Sequence, residues 1–305
     1  MTTEDFRTLG ARLSNWGRWG ADDERGTLNH ITPERLVAAA ALVRRGVTFS
    51  LGIPVDSSGP QLGPRRINPV HLMSQTGDNQ VSPGAFRYAD DYIFMPLQAG
   101  SQWDALSHVF YDDQLYNGFP SRDVNVAGAA HCSIDKIGRD VAGRGVLLDL
   151  ARLAGRDWLE PGQVLTPADL EAAEAAHGVR VGPGDVLLFR TGWRRLFLER
   201  GAREYMAAEP GLGRACCEWL HERQVAAVAS DNWAIEVLPG EDPEARMQVH
   251  MILIRDMGMT LGEILDLEAL ADDCAADGRY EFFFCAPPLK VTGGVGSPIN
   301  PLAIK

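Results

Sequence analysis

The sequence predicts an α/β protein in which helices flank a buried, mixed β-sheet. The first observation is alternation. Short apolar, β-branched runs such as VTFSLGIPV, GVLLDL, GDVLLFRTG and VAAVASD are interleaved with helical segments along the chain, the order expected of layered sheet and helix. The second is punctuation. Thr32-Pro33 and Thr166-Pro167 each set a capping hydroxyl before a proline at the first helical position, and Gly46 and Gly178 stand where those helices would stop. No internal repeat is visible.

In chain order, residues 1–30 carry Trp16 and Trp19 around Gly17 and Gly20. Such a segment cannot form a regular helix. It reads as an arm packed on the body or on a neighbouring subunit, and residues 31–305 read as a single domain. Thr32 opens a helix that runs through LVAAAALVRRG to Gly46, and VTFSLGIPV follows as a strand. Residues 56–90 are rich in Gly, Pro, Ser and Asn without a lasting period and read as a long, flap-like excursion that contains His71. DYIFMPL, 91–97, reads as a strand that delivers Gln98 to Asp104 at its end. GVLLDL and GDVLLFRTG are strands, with the second capped helix between them. A helix near 212–223, the strand VAAVASD, an apolar strand VHMILI from Val249, a helix LEALADDCAADG and a last strand in EFFFCAPPLKV complete the series.

At 305 residues the chain is long enough for a sizeable core. Its formal net charge of -12 argues against nucleic acid, whose phosphates it would repel. Cys132, Cys216, Cys217, Cys274 and Cys285 show no C-x-x-C spacing, and the polar start MTTEDFRTLG is no secretory signal. Reduced thiols in a cytoplasmic protein are therefore expected. No apolar stretch approaches the length of a membrane span. There is no G-x-G-x-x-G after a first strand, so no nucleotide cofactor is expected; GGVGSP near the end has no helix after it. A G-x-S-x-G elbow is absent too, which disfavours a serine hydrolase.

The chemistry concentrates in QAGSQWDALSHVFYDDQLYNG, Gln98 to Gly118. Asp104 and His108 are four residues apart, so one helical turn would put both on one face, where they suit a divalent metal or an acid/base pair. Taken alone, a D-x-x-x-H is an ordinary solvated helix face. Trp103, Phe110, Tyr111 and Tyr116 surround this one with aromatic surface, and a mostly apolar wall with a few convergent polar groups is the make-up of a small-molecule pocket.

The same stretch resembles the signature of the cyclase superfamily, which includes bacterial kynurenine formamidases and isatin hydrolases and reads H-x-G-T-H-x-D-x-P-x-H. Gly100, Ser101, Asp104 and His108 keep the glycine, the hydroxyl, the aspartate and the last histidine, while Gln98, Gln102 and Leu106 replace the first two histidines and the proline. NWGRWGADDERGTLNHITPE, GDVLLFRTGW and GGVGSPINP are similar to the longer branch of that family. The resemblance implies a swivelling β/β/α fold, a homo-oligomer such as a dimer, and hydrolysis of a small amide, lactone or cyclic imide, often aromatic. It further places His250 and Glu263 where the family supplies another histidine and glutamate to its metal centre.

With Asp104 and His108, these give two carboxylates and two imidazoles, a complete ligand set for one zinc or manganese ion. Amides are poor ligands beside imidazole, so Gln98 and Gln102 argue against a second ion; they read as weak amide ligands, as substrate hydrogen-bonding groups or as orienters of the metal water, and are assigned to the substrate with Trp103, Phe110 and Tyr111. Asp104, His108 and His250 are the expected catalytic residues, with water activated at the metal and a proton passed to the leaving group. Two other readings stand beside this one. One is a metal-independent cyclase or dehydratase using Asp104 and His108; the other is a non-catalytic small-molecule-binding protein. Asp231-Asn232 reads equally as a strand-end ligand site or an Asx-turn, and Arg190 as a carboxylate binder or an ion pair. His131 reads as a loop histidine in preference to a site residue, and His30, His177 and His221 are assigned no role.

Overall fold

The computed structural model describes residues 5–78, 85–138 and 141–305. Residues 79–84 of the expected excursion thus lie outside the described residues. The organising element is a nine-stranded sheet. Its strands in chain order are β1 (Thr48–Ser50), β2 (Gln102–Asp104), β3 (Ala142–Asp149), β4 (Val186–Arg190), β5 (Ala227–Ser230), β6 (Thr260–Glu263), β7 (Glu281–Cys285), β8 (Gly296–Pro298) and β9 (Leu302–Ile304). They lie side by side as β1-β9-β7-β3-β4-β5-β6-β2-β8. The central β3, β4, β5 and β6 run parallel, and every flanking pair is antiparallel. The expected mixed α/β architecture is present.

Successive residues of the central strands pack into separate cores on the two faces. Val146, Leu148, Leu187, Phe189, Val228 and Leu261 meet Leu170, Cys216, Leu220 and Ile252 from helices on one face. Leu147, Leu188, Ala227 and Ala229 meet Leu270, Ala271 and Cys274 on the other. Each such aliphatic or aromatic side chain contributes about 1.5–3 kcal/mol on burial, so a sheet covered on both faces explains why these runs are apolar throughout. The helix Pro167–His177 has the expected ends: Thr166 and Asp169 form a reciprocal capping box, and Gly178 closes it at φ 62°.

Three expectations are corrected. VHMILI is not a strand but part of a helix over 248–256, wound as a wide π turn from Met251; Val249 and Ile252 to Ile254 are all buried, and an apolar run covered on every side carries no period to separate helix from strand. DYIFMPL does not enter the main sheet. Asp90–Phe94 pairs with Val70–Gln75 in a hairpin, exposed along both strands, inside the supposed excursion. The first capped helix stops at Ala40, short of Gly46. The Gly/Trp segment is non-helical as expected, and a helix, Phe6–Leu13, ends just before it. The arm packs on its own chain: Trp16 Nε1 donates to the Arg255 carbonyl, and Trp19 meets the His30 ring edge-on at 5.1 Å.

Candidate active site

Pairing across three strands builds the site. On β2, Gln102 lies opposite Glu263 of β6, and Asp104 lies opposite Gly296 of β8. Alternation therefore puts Gln102, Asp104 and Glu263 on one face of the sheet. Trp103 faces the other way. A Cβ on Gly262 would come within 2.5 Å of its indole, so glycine there lets the ring lie flat in the second core. Gly296 plays the same part on the site face, where a Cβ would fall 2.5 Å from Gln98 Nε2. The glycine-rich C-terminal motif thus makes room for a site amide.

His250 enters from the helix that crosses this face. Its Nε2 is 3.1 Å from Glu263 Oε1 and 4.0 Å from Asp104 Oδ2. Its Nδ1 is 2.6 Å from Glu236 Oε1, which also accepts from the His250 backbone N–H at 2.9 Å. The Gln102 amide spans the two acids, its Nε2 donating to Glu263 at 2.5 Å and to Asp104 at 3.3 Å. His108 follows β2 through a turn closed by its N–H on the Ala105 carbonyl, and its Nε2 lies 3.8 Å from Asp104 Oδ1. Asp104 and His108 therefore meet, as expected, but from a strand end and a turn rather than along a helix.

Ligand atoms of Asp104, His250 and Glu263 all lie within 4.8 Å of one another, and His108 does not join that group. Asp104 Oδ2 and Gln102 Oε1 are buried with no hydrogen-bond partner, as is Gln98 Nε2. Two carboxylates, an imidazole and an unsatisfied buried oxygen suit one divalent cation.

Burial dominates the electrostatics. It raises the pKa of Asp104 to about 6, with His108 opposing the shift and Glu263 adding to it. It presses His108 below its ordinary value, Asp104 opposing and Arg66 assisting. Burial would press His250 down as well, but its hydrogen bonds to Glu236 and Glu263 overcome this and hold it up at about 10. Glu209, fully buried, is pushed well above the carboxylate range and accepts from the Trp233 and Ala234 N–H groups.

The backbone around these acids is unusual. Ile235 precedes Glu236 at φ 58°, Ile264 follows Glu263 at φ 59°, and Met247 leads into the His250 helix at φ 58°. β-Branched residues in the left-handed region cost about 1–2 kcal/mol each, and such conformations gather at functional sites. Their surroundings fix them: Asn232 Oδ1 accepts from the Ile235 N–H, and Ser101 Oγ donates to the Ile264 carbonyl.

Of the remaining sequence candidates, Trp103 is corrected from a substrate residue to a core residue, its Nε1 donating to the Ala286 carbonyl. Tyr111 is partly buried; its hydroxyl donates to Asp256 and its ring meets Phe6 and Arg255. Phe110, beyond His108, is exposed. Asp231 is structural, accepting from Thr191 and Gly192, and Arg190 is a buried ion pair with Asp149 and Glu268. His71 pairs with Asp91 on the exposed hairpin, and His131 stacks on Phe119. Glu236 and Arg66 were not singled out from the sequence. Both sit in irregular segments whose only signal is composition, and topology alone carries them to the site.

Comparison with known proteins gives a consistent picture. The cyclase family model, described as "Putative cyclase", matches residues 25–237. A crystal structure of a novel cyclase superposes with a TM-score of 0.90 at 47% identity, covering 96% of this chain and 100% of its own. Isatin hydrolase A from Labrenzia aggregata superposes at 0.64 with 22% identity, over 88% of this chain and 97% of its own. In sequence, an isatin hydrolase of Roseibium aggregatum is 28% identical over 149 residues, 48% of this chain and 54% of that relative, so the chain spans about half the length of the curated relative it matches.

Proposed function

The chain belongs to the cyclase family, and from that premise we propose that it is a hydrolase of a small amide, lactone or cyclic imide that works with one divalent metal ion, manganese or zinc. The observation that carries this reading is the buried group of Asp104, His250 and Glu263 with an unpaired Asp104 oxygen. These three would hold the ion, which when bound would polarise a carbonyl and acidify water. The Glu236 carboxylate accepts a hydrogen bond from His250 Nδ1–H, which would aim its Nε2 at the ion. Gln102 keeps the two acids from splaying apart. His108, held below its ordinary pKa and partly exposed, is the proton carrier: its Nε2 accepts a proton from the attacking water and returns it to the leaving nitrogen or oxygen. Gln98 and Gln102 present amides where a second ion would need imidazoles, which supports a single ion.

One observation favours a second reading. His250 bridges Glu236 and Glu263 as a cation would, which would suit a metal-independent cyclase or dehydratase with Asp104 and His108 as acid and base. Metal analysis of the purified protein, followed by a panel of amides, lactones and cyclic imides with and without chelator, separates the two. The proposal expects up to one ion per chain, loss of hydrolysis on chelation and recovery with manganese or zinc. Hydrolysis undisturbed by exhaustive chelation, with no metal detected, refutes the metal reading.

We further place the protein in the cytoplasm as a homo-oligomer. All five cysteines are free. No helix among the described residues is long and apolar enough to cross a membrane. The support for an oligomer shifts from the tryptophans of the arm, which pack on their own chain, to the hairpin, where Leu72, Met73, Tyr92, Ile93 and Phe94 are exposed.

A further inference from the structure

Arg66 stands just before the Val70–Gln75/Asp90–Phe94 hairpin, and Gln98 follows just after it. Closing the hairpin brings the two together. One guanidinium nitrogen of Arg66 lies 3.4 Å from His108 Nε2 and another 3.5 Å from the Gln98 carbonyl oxygen. The guanidinium rests over the Trp233 ring, 5.3 Å from its centroid. A carbonyl, an imidazole and an indole face carry no negative charge. Arg190 is paired with Asp149 and Glu268, and Arg194 with Asp266, whereas half-buried Arg66 meets Asp104 only through space.

Two side-chain donors on the residues that contact this guanidinium lack acceptors. Gln98 is 9% exposed and its Nε2 has no partner; the Trp233 indole N–H is buried without one. A stacked guanidinium has a fixed plane and leaves its edge for a bidentate oxyanion. Unmet donors on the two residues that contact it call for an acceptor that the chain does not supply. Close by, Asp104 and Glu263 make the metal side of the site acidic, so a free anion would need this cation to approach.

We propose that Arg66, with Gln98 and Trp233, seats a carboxylate carried by the substrate, so that the enzyme acts on organic acids whose scissile carbonyl lies within a few atoms of that carboxylate. This rests on the hydrolase reading above. It assigns Arg66 to substrate recognition, in contrast to a role confined to keeping His108 neutral.

The test is binding rather than turnover. Calorimetry on the metal-supplemented wild type, Arg66→Lys and Arg66→Met would use benzoate and benzamide, matched in shape and differing in charge. The wild type should prefer benzoate. Arg66→Met should lose roughly ten- to hundredfold in benzoate affinity with benzamide unchanged, and Arg66→Lys should keep part of the preference. Equal benzoate affinity in wild type and Arg66→Met overturns the proposal, since the carboxylate would then sit elsewhere, on the metal included. Parallel loss of both probes overturns it too and leaves Arg66 a structural support, as does a wild type that does not distinguish them. Because no turnover is needed, failure of the hydrolysis panel would remove the hydrolase reading while leaving the binding result to stand or fall alone.

Discussion

Asp104→Asn should stabilise the metal-free protein while abolishing its response to metal. Asp104 is 1% exposed, and burial lifts its pKa from the ordinary 3.8 to about 6. A carboxyl whose folded pKa lies above its unfolded value contributes stability below pH 3.8, and that contribution is lost as pH rises through about 6. At neutral pH the folded protein therefore carries an ionised group at a cost. A tenfold change in proton affinity is worth about 1.4 kcal/mol, which makes the cost here on the order of 3 kcal/mol. Asparagine removes the charge and keeps the shape. Its oxygen can still accept from Gln102 Nε2, and its Nδ2 would take the place of the unpaired Oδ2. Urea unfolding in the presence of chelator, at several pH values, reads the difference. The variant should match wild type near pH 4 and exceed it by about 1–3 kcal/mol above pH 6, the lower figure allowing for relaxation of the buried site. Added manganese or zinc should raise wild type by mass action and leave the variant unmoved. A variant less stable than wild type in chelator at neutral pH, or one that gains equally from metal, would refute the account of Asp104 as a charge held in place for a cation.

His108→Ala should lose at least about a hundredfold in turnover on the true substrate, the usual worth of a general acid/base, while its metal content stays at the wild-type level; near wild-type turnover would remove His108 from the mechanism. His30, buried with its pKa lowered to about 4 by desolvation and then by nearby Arg18 and Arg35, contributes stability above its ordinary 6.5 that is lost as pH falls toward 4. Its replacement by leucine should flatten that acid limb by about 2–3 kcal/mol, and an unchanged slope in urea titrations from pH 7 to pH 4 would count against it. Light scattering should give a mass above one chain, and a double charge substitution at Tyr92 and Phe94 should lower it toward the monomer. A clean monomer for the unaltered protein ends the oligomer proposal.

What could be read from the sequence was what local physics decides. Thr166-Pro167 and Gly178 fix helix ends through a few adjacent atoms, and those ends are where the punctuation put them. GVLLDL and GDVLLFRTG form strands because both faces of the central sheet are covered. VHMILI shows the limit of the same signal, since a segment buried all round has no polar side to reveal its period. Trp103 shows a subtler limit. Aromatic surface near Asp104 suggested a pocket wall, but once residues 102–104 are a strand, alternation must send Trp103 away from Gln102 and Asp104.

Glu236 marks the boundary of legibility most sharply. Fourteen positions before His250 in an irregular loop, it has no spacing that points to the site. It arrives because Asp231 ties the end of β5 to Thr191 and Gly192, and Asn232 then turns the chain back through Ile235. That turn forces an isoleucine into the left-handed region, and Ile264 is forced there beside Glu263. Two isoleucines in this region cost about 1–2 kcal/mol each. They stand directly beside the two carboxylates that grip His250 from opposite sides. The strain and the hydrogen bonds are thus two aspects of one arrangement, with the imidazole fixed between Glu236 and Glu263 so that a single nitrogen faces Asp104.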